Sequence, residues 1–217
     1  MNTISWLIPT YNEEQTIRQV IEQIPVGVPY VLDKSSDRTA EVAAEAGAKV
    51  VSRKGLGKGE AVREGFELLI PVSDTIVIID GDNTYSPAEV FQLLNEIKNG
   101  ADMAIGSRFL GSMENGAMSR LHRWGNKFLT FVFNRRFNSS TSDPNSGFRA
   151  IRVSALEKID LDSKGFEIEV ELTAKFLKNN RDVVEKPISY RTRPENSKGK
   201  LKVFRDGYRI LSTILKS

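Results

Sequence analysis

Apolar positions in the first half of the chain alternate between two arrangements. Short unbroken runs occur in "ISWLIP" (4–9), "PYVLD" (29–33), "AKVVS" (48–52), "TIVIID" (75–80) and "DMAIGS" (102–107). These read as strands buried on both faces. Between them lie stretches with helical spacing: "NEEQTIRQVIEQI" (12–24), "SDRTAEVAAEAG" (36–47, closed by Gly47), "GKGEAVREGFELL" (57–69) and "SPAEVFQLLNEIKNG" (86–100). Strands that are apolar throughout, alternating with amphipathic helices, predict an α/β fold with a mostly parallel central sheet covered on both sides.

After residue 107 the pattern changes. Helices are predicted over 119–137, 165–180 and 202–216, with a strand over 182–191 interrupted by Pro187. No internal repeat or low-complexity linker divides the chain. The expectation is one domain, 1–217, with a Rossmann-like nucleotide-binding half (1–107) and a substrate-shaping half (108–217).

Composition narrows the classes. The 217 residues are 40% hydrophobic and 27% charged, enough for one sizeable core. No cysteine is present, which excludes disulfides and thiolate metal sites and suits a reducing cytoplasm. No N-terminal secretory pattern is read, and the apolar runs fall far short of the roughly 20 residues that span a bilayer. The expectation is a cytoplasmic protein, at most peripheral on a membrane. The net charge of +3 is gathered in two late basic stretches, "RLHRWGNKFLTFVFNRRF" and "RTRPENSKGKLKVFRDGYR".

The chemistry-bearing residues cluster where predicted strands end. Asp80-Gly81-Asp82 follows the apolar run 75–79. In open α/β sheets ligands bind beyond the carboxyl ends of strands. Two carboxylates spaced this way can share a hard cation, Mg²⁺ or Mn²⁺, with phosphate oxygens. The competing reading is helix capping, but Ser86-Pro87-Ala88-Glu89 already offers a capping box. Glu13 follows the first strand, where Asn12 reads as an N-cap, and Asp33 ends the second. Three strands thus deliver acids to one sheet edge.

Weaker signals surround this edge. "GLGKGE" (55–60) fits neither phosphate-loop spacing, and leaves Lys58 as an anion contact. In "SDPNSGFRAIR" (142–152), Asp143, Ser146 and Arg149 gather around Gly147. Arg149 either holds a phosphate or pairs with Asp143. His122, the sole histidine, reads as incidental and remote from the strand ends. The 119–137 helix mixes aromatics with arginines. Core packing accounts for Phe128, Leu129, Phe131 and Val132. A membrane-surface role would use Trp124 and phenylalanines against lipid, with Arg120, Arg123, Arg135 and Arg136 toward head groups. Nucleic-acid stacking ranks last.

The ordered series "IPTYNEEQTI", "SSDRTAE", "GKGEAVREGF", "DGDNTYSPAE", "GSRFLG", "HRWGNKFLTFVFN", "DPNSGFRA" and "KLKVFRDGYRIL" resembles family 2 glycosyltransferases of GT-A fold, and within them the polyprenyl- or dolichyl-phosphate sugar synthases. The resemblance covers nearly the whole chain. It implies that Pro9, Tyr11, Glu13 and Asp33 hold the donor nucleoside. It places Asp80, Gly81 and Asp82 at the diphosphate, with Asp80, Asp82 and Thr84 as metal ligands. Arg193, Lys198 and Lys200 would close over the nucleotide. Arg108, with Arg120, Arg123, Ser146 and Arg149, would bind the acceptor phosphate, and Asp82, Asp143 and Arg149 would be the catalytic set. Leu32 and Lys34 depart from the family's "VDDGS" pattern, which leaves GDP and UDP both open as the donor nucleotide.

The implied reaction is inverting transfer from a nucleoside-diphosphate sugar to a polyprenyl phosphate at the cytoplasmic membrane face. A lipid phosphate is already ionised, so no strong base is required. A soluble phosphorylated acceptor or glycan is the alternative, where Asp143 would serve as base. A non-enzymatic polyanion-binding module is a remote third.

Overall fold

The computed structural model of the chain describes residues 2–53, 55, 57–194 and 203–217, with backbone alone at 203 and 204. Strands β1 (Ile4–Thr10), β2 (Val28–Asp33), β3 (Lys49–Ser52), β4 (Thr75–Ile78), β5 (Met103–Ser107), β6 (Arg149–Arg152) and β7 (Val183–Pro187) form one sheet in the order β3-β2-β1-β4-β6-β5-β7. Helices α1 (Ile17–Glu22), α2 (Thr39–Glu45), α3 (Lys58–Leu69), α4 (Val90–Lys98), α5 (Arg120–Phe137), α6 (Ile168–Lys178) and α7 (Val203–Lys216) surround it.

Each predicted strand and helix is present with shifted ends. β6 is the element that sequence reading does not predict. It is antiparallel to β4 and β5, whereas β1, β2, β3 and β4 pair in parallel, as do β5 and β7. β6 belongs to the second half of the chain yet sits between two strands of the first, so the halves interleave.

Alternation along the strands builds two cores. Trp6, Ile8, Val31 and Val77 face one side, with Ile17, Val20, Ala43 and Leu93 from α1, α2 and α4. Leu7, Leu32, Ile76 and Ile78 face the other, with Phe66 of α3 and Leu172 and Phe176 of α6. A third cluster joins Leu129 and Phe133 of α5 to Val170, Ala174, Ile210 and Ile214 of α6 and α7. Contrary to the core reading, Phe128 is 50% and Phe131 68% exposed. They lie on the side of α5 turned away from this cluster.

Two expected caps are replaced. Ser86 makes no side-chain cap bond, and Glu89 instead accepts from Ser189 N and Oγ. Asn12 adopts φ 54° and bonds Ser35 and Ser36, with α1 beginning several residues later.

The glycines of "GLGKGE" serve a close approach, not a phosphate loop. Gly59 N donates to Lys164 O at 3.0 Å. A Cβ on Gly59 would fall 2.7 Å from the carbonyl carbon of Ser163 and 2.8 Å from that of Lys164. Gly59→Ala is therefore expected to destabilise. Overpacking typically costs about 1–3 kcal/mol, which exceeds the ~1 kcal/mol gained in helix propensity. A lowered urea midpoint at unchanged slope checks this.

Candidate active site

β4 ends beside β1, and the chain continues through Ile79 into Asp80-Gly81-Asp82. Gly81 permits a close approach, because a Cβ there would lie 2.8 Å from Thr10 Cγ2. Its carbonyl accepts from Thr16 Oγ1 at 2.7 Å. The two aspartates thus emerge on a short, pinned segment. Both line one cavity of about 340 Å³, together with Lys58, Arg108, His122, Asn145, Glu169 and Arg193 among others.

Each aspartate has its own cation. Lys58 Nζ, at the start of α3, lies 2.5 Å from Asp80 Oδ1 and 2.5 Å from Glu169 Oε1 on α6. Burial opposes ionisation of Asp80, but Lys58, Arg193 and Arg108 outweigh it and hold the carboxyl below its ordinary value. Burial raises Glu169, and the attraction of Lys58, itself countered by Asp80, does not overcome it. Burial alone would lower the Lys58 ammonium, yet the two carboxylates carry it above its usual range. A Cβ on Gly147 would meet Asp80 Oδ2 at 2.5 Å and Lys58 Nζ at 3.0 Å, so the 143–147 turn lies directly against this group.

Asp82 Oδ2 is paired with Arg193. Its Oδ1 accepts from Thr84 N at 3.1 Å and Thr84 Oγ1 at 2.6 Å. Thr84 is 1% exposed, so it orients Asp82 and does not face the cavity as a metal ligand. Arg193 arrives on a strap after β7. Ile188 N donates to Ser107 O, Tyr190 N to Ser112 O and Arg191 N to Thr84 O. Arg193 Nη1 is buried without a partner among the described residues.

Other expected residues fall elsewhere. Asp143 is fully buried and accepts twice from Arg108, at 2.7 Å and 2.8 Å, in a bidentate pair. Arg108 is thus Asp143's partner, and the Asp143–Arg149 pair does not form. With Oδ2 also accepting Arg108 N, Asp143 is poorly placed to act as a base. Arg149 is 1% exposed and donates to Ser146 O, Pro144 O and Thr173 Oγ1, so it does not face an acceptor. Its place on a central strand buries it. Ser146 Oγ donates to Gly106 O. Arg120 and Arg123 are exposed on α5, outside the cavity lining. Pro9, Tyr11, Glu13 and Asp33 are outside it as well. Asp33 accepts from Thr10 Oγ1 and from Ser35 N and Oγ. Glu13 lies near enough to join Asp82 and Asp80 in raising the Arg193 guanidinium, although it does not line this cavity. Lys198 and Lys200 lie outside the described residues.

Among the cavity residues to which sequence reading gives no part in the site are His122, Asn145, Glu169 and Tyr190. Only Glu169 leaves a trace in the sequence, as an acid within the apolar run "GFEIEVEL".

The oxygen-rich pair Asp80/Asp82 suits a hard divalent cation completed by phosphate oxygens. Among the described residues no cluster of three or more acidic, histidine or cysteine ligands forms, so a cation held by this pair would need its remaining ligands from a bound molecule.

Residues 5–160 match the profile of glycosyl transferase family 2. The chain is a family 2 glycosyltransferase. It is 38% identical over 98% of its length to the low-salt glycan biosynthesis hexosyltransferase Agl6 of Haloferax volcanii, of which it spans 53%. It is 31% identical over 86% of its length to the polyprenol monophosphomannose synthase of Mycolicibacterium smegmatis, covering 77% of that protein. The chain spans about half the length of Agl6. The fold is that of glucosyl-3-phosphoglycerate synthase from Mycobacterium tuberculosis, solved with Mn²⁺, UDP and glucosyl-3-phosphoglycerate. The TM-score is 0.77, with 23% identity over 99% of this glycosyltransferase and 79% of that chain. This is the GT-A fold anticipated from the motifs. The enzyme activity of the family sets aside the polyanion-binding alternative.

In this glycosyltransferase the Lys58 triad generates a pH prediction. Lys58→Met removes the bonded cation from the buried Glu169 and the half-buried Asp80, a loss of about 3–5 kcal/mol at neutral pH. Glu169, already raised by burial, would then titrate still further above its unfolded value, so the folded state binds more protons and the deficit shrinks as pH falls. Urea denaturation of the variant at pH 7.5 and pH 5 should show the difference narrowing; a deficit independent of pH contradicts the pairing.

Proposed function

We propose that this glycosyltransferase moves a hexose, with inversion, from a GDP- or UDP-linked donor to a polyprenyl phosphate at the cytoplasmic membrane face. The observation that carries the lipid acceptor is the double role of α5. Its first turns supply Ser119, His122 and Asn126 to the cavity wall. Its outer face exposes Leu121 (57%), Trp124 (76%), Phe128 (50%) and Phe131 (68%), spaced to fall along one side of the helix and interleaved with Arg120, Arg123 and Lys127. An exposed aromatic and aliphatic stripe flanked by basic residues matches a helix lying in a lipid interface. Such a helix lets a lipid tail stay in the bilayer while its head enters the cleft. Among the described residues no helix is long and apolar enough to cross a membrane.

Asp82 and Asp80 would hold Mg²⁺ or Mn²⁺, which supplies charge neutralisation at the departing diphosphate. Arg193, with Nη1 unpartnered, offers that diphosphate a donor, and Lys58 adds positive field from the cavity floor. Arg108 lines the same cavity, braced by Asp143, and presents a fixed guanidinium suited to the acceptor phosphate. The phosphate attacks as an anion, so the commitment of Asp143 to Arg108 does not hinder the reaction.

A soluble phosphorylated acceptor is the second reading, favoured by likeness to the glucosyl-3-phosphoglycerate synthase fold. Radiolabelled UDP-glucose, UDP-N-acetylglucosamine and GDP-mannose, each with polyprenyl phosphate and Mn²⁺, decide between them. Label in the organic extract supports the lipid; label only in water-soluble product supports the second reading. Asp82→Asn should lower transfer roughly 10²–10³-fold without changing the circular dichroism spectrum. The double variant Trp124→Ser/Phe131→Ser should lose vesicle co-sedimentation roughly tenfold or more, since each buried aromatic contributes about 1.5–3 kcal/mol. Unchanged sedimentation counts against a membrane role for α5.

A further inference from the structure

The cavity contains polar atoms that the protein leaves unsatisfied. Among the described residues, His122 Nε2 and both amide atoms of Asn145 are buried without a hydrogen-bond partner. Both residues line the same cavity as Asp80 and Asp82. Buried polar atoms almost always have a partner, so three such atoms in one place mark a surface shaped for a ligand.

Asn145 is also held in place. Arg149 Nη2 donates to Pro144 O at 2.7 Å, and Arg149 Nε to Ser146 O at 2.8 Å. The buried guanidinium therefore grips the carbonyls on either side of Asn145. Ser146 Oγ is anchored on Gly106 O at 2.6 Å, and Gly147 N donates to Tyr85 Oη at 3.1 Å. Every neighbour of Asn145 is bonded while its own amide is not. On α5, Ser119 Oγ caps His122 N and Asn126 donates to His122 O. That backbone is fixed in the same manner around an unpaired imidazole nitrogen.

The chemistry of these atoms selects the ligand. A phosphate needs donors only, and Lys58, Arg108 and Arg193 supply them. A carboxamide presents an acceptor beside a donor, and its acceptor oxygen disfavours an anion. A sugar hydroxyl both donates and accepts, matching the amide. The 143–147 turn abuts Asp80 through Gly147, so Asn145 stands close to where a sugar joined to the diphosphate would lie.

We infer that Asn145 and His122 read the hydroxyls of the transferred hexose and so set which sugar the enzyme accepts. This rests on the nucleoside-diphosphate-sugar reading above. The test compares wild type, Asn145→Leu and His122→Phe, with Mn²⁺ present throughout. Calorimetry measures the affinities for UDP, GDP, UDP-glucose, UDP-N-acetylglucosamine and GDP-mannose, and kcat/KM is measured for each sugar donor. Each variant should lose roughly tenfold or more in affinity and kcat/KM for the preferred sugar nucleotide. Discrimination among sugars should narrow, with binding of the bare nucleoside diphosphate kept within about twofold. Bare-diphosphate binding also reports that each variant folds. Equal effects on bare and sugar-linked nucleotides, or no effect on either, overturn the inference while leaving the donor class intact. Wild type that binds none of these nucleotides overturns the donor class and the inference together.

Discussion

The ammonium of Lys58 between Asp80 and Glu169 is the contact on which the site depends. It joins the first residue of α3, the segment beyond β4 and the first turn of α6. All three groups are largely withdrawn from water, so the Coulomb energies are large and so are the desolvation costs. The net result is an ionised Asp80 held at a fixed place. The glycines nearby follow from this constraint. Gly59 lets α3 approach the 163–164 backbone, and Gly147 lets the 143–147 turn lie on the Lys58–Asp80 pair. A side chain at either position would separate elements that the charges hold together.

The same economy of charge runs through the rest of the cleft. Asp82 has Arg193 and Arg108 has Asp143, each pair bringing together distant parts of the chain. Lys58, Arg108 and Arg193 line one cavity, each bonded to an acid that fixes it in place. Preorganised charge of this kind is what a reaction with a growing anionic leaving group requires. α5 extends the cleft outward, from polar groups at its start to exposed aromatics along its outer face.

Much of the scaffold was legible in the pattern of residues. Unbroken apolar runs gave β1 to β5, and amphipathic spacing gave the helices. Aspartates beyond β4 pointed to the sheet edge that carries the cavity. β6 was hidden because Arg149-Ala150-Ile151-Arg152 is short and charged at both ends, and its pairing with β4 and β5 is entirely tertiary. Arg149 beside a glycine suggested an anion site, but burial turned its donors onto backbone carbonyls. Asp143 and Arg108 are far apart in sequence, so nothing local announced their pairing. His122 looked remote because a helix start gives no hint of which cavity it will wall. Asn145 and Glu169 became visible only once the turn and α6 were seen to face Asp80.

The central claim is that Asp80 and Asp82 form a partial cation site completed by the donor's diphosphate. Electron paramagnetic resonance of Mn²⁺ tests it directly, by titrating the ion into the enzyme with and without UDP or GDP. Mn²⁺ binding should be weak alone, tighten strongly with one of the nucleoside diphosphates, and vanish in Asp82→Asn. Mn²⁺ that binds equally well without nucleotide, or that persists unchanged in Asp82→Asn, would contradict the account.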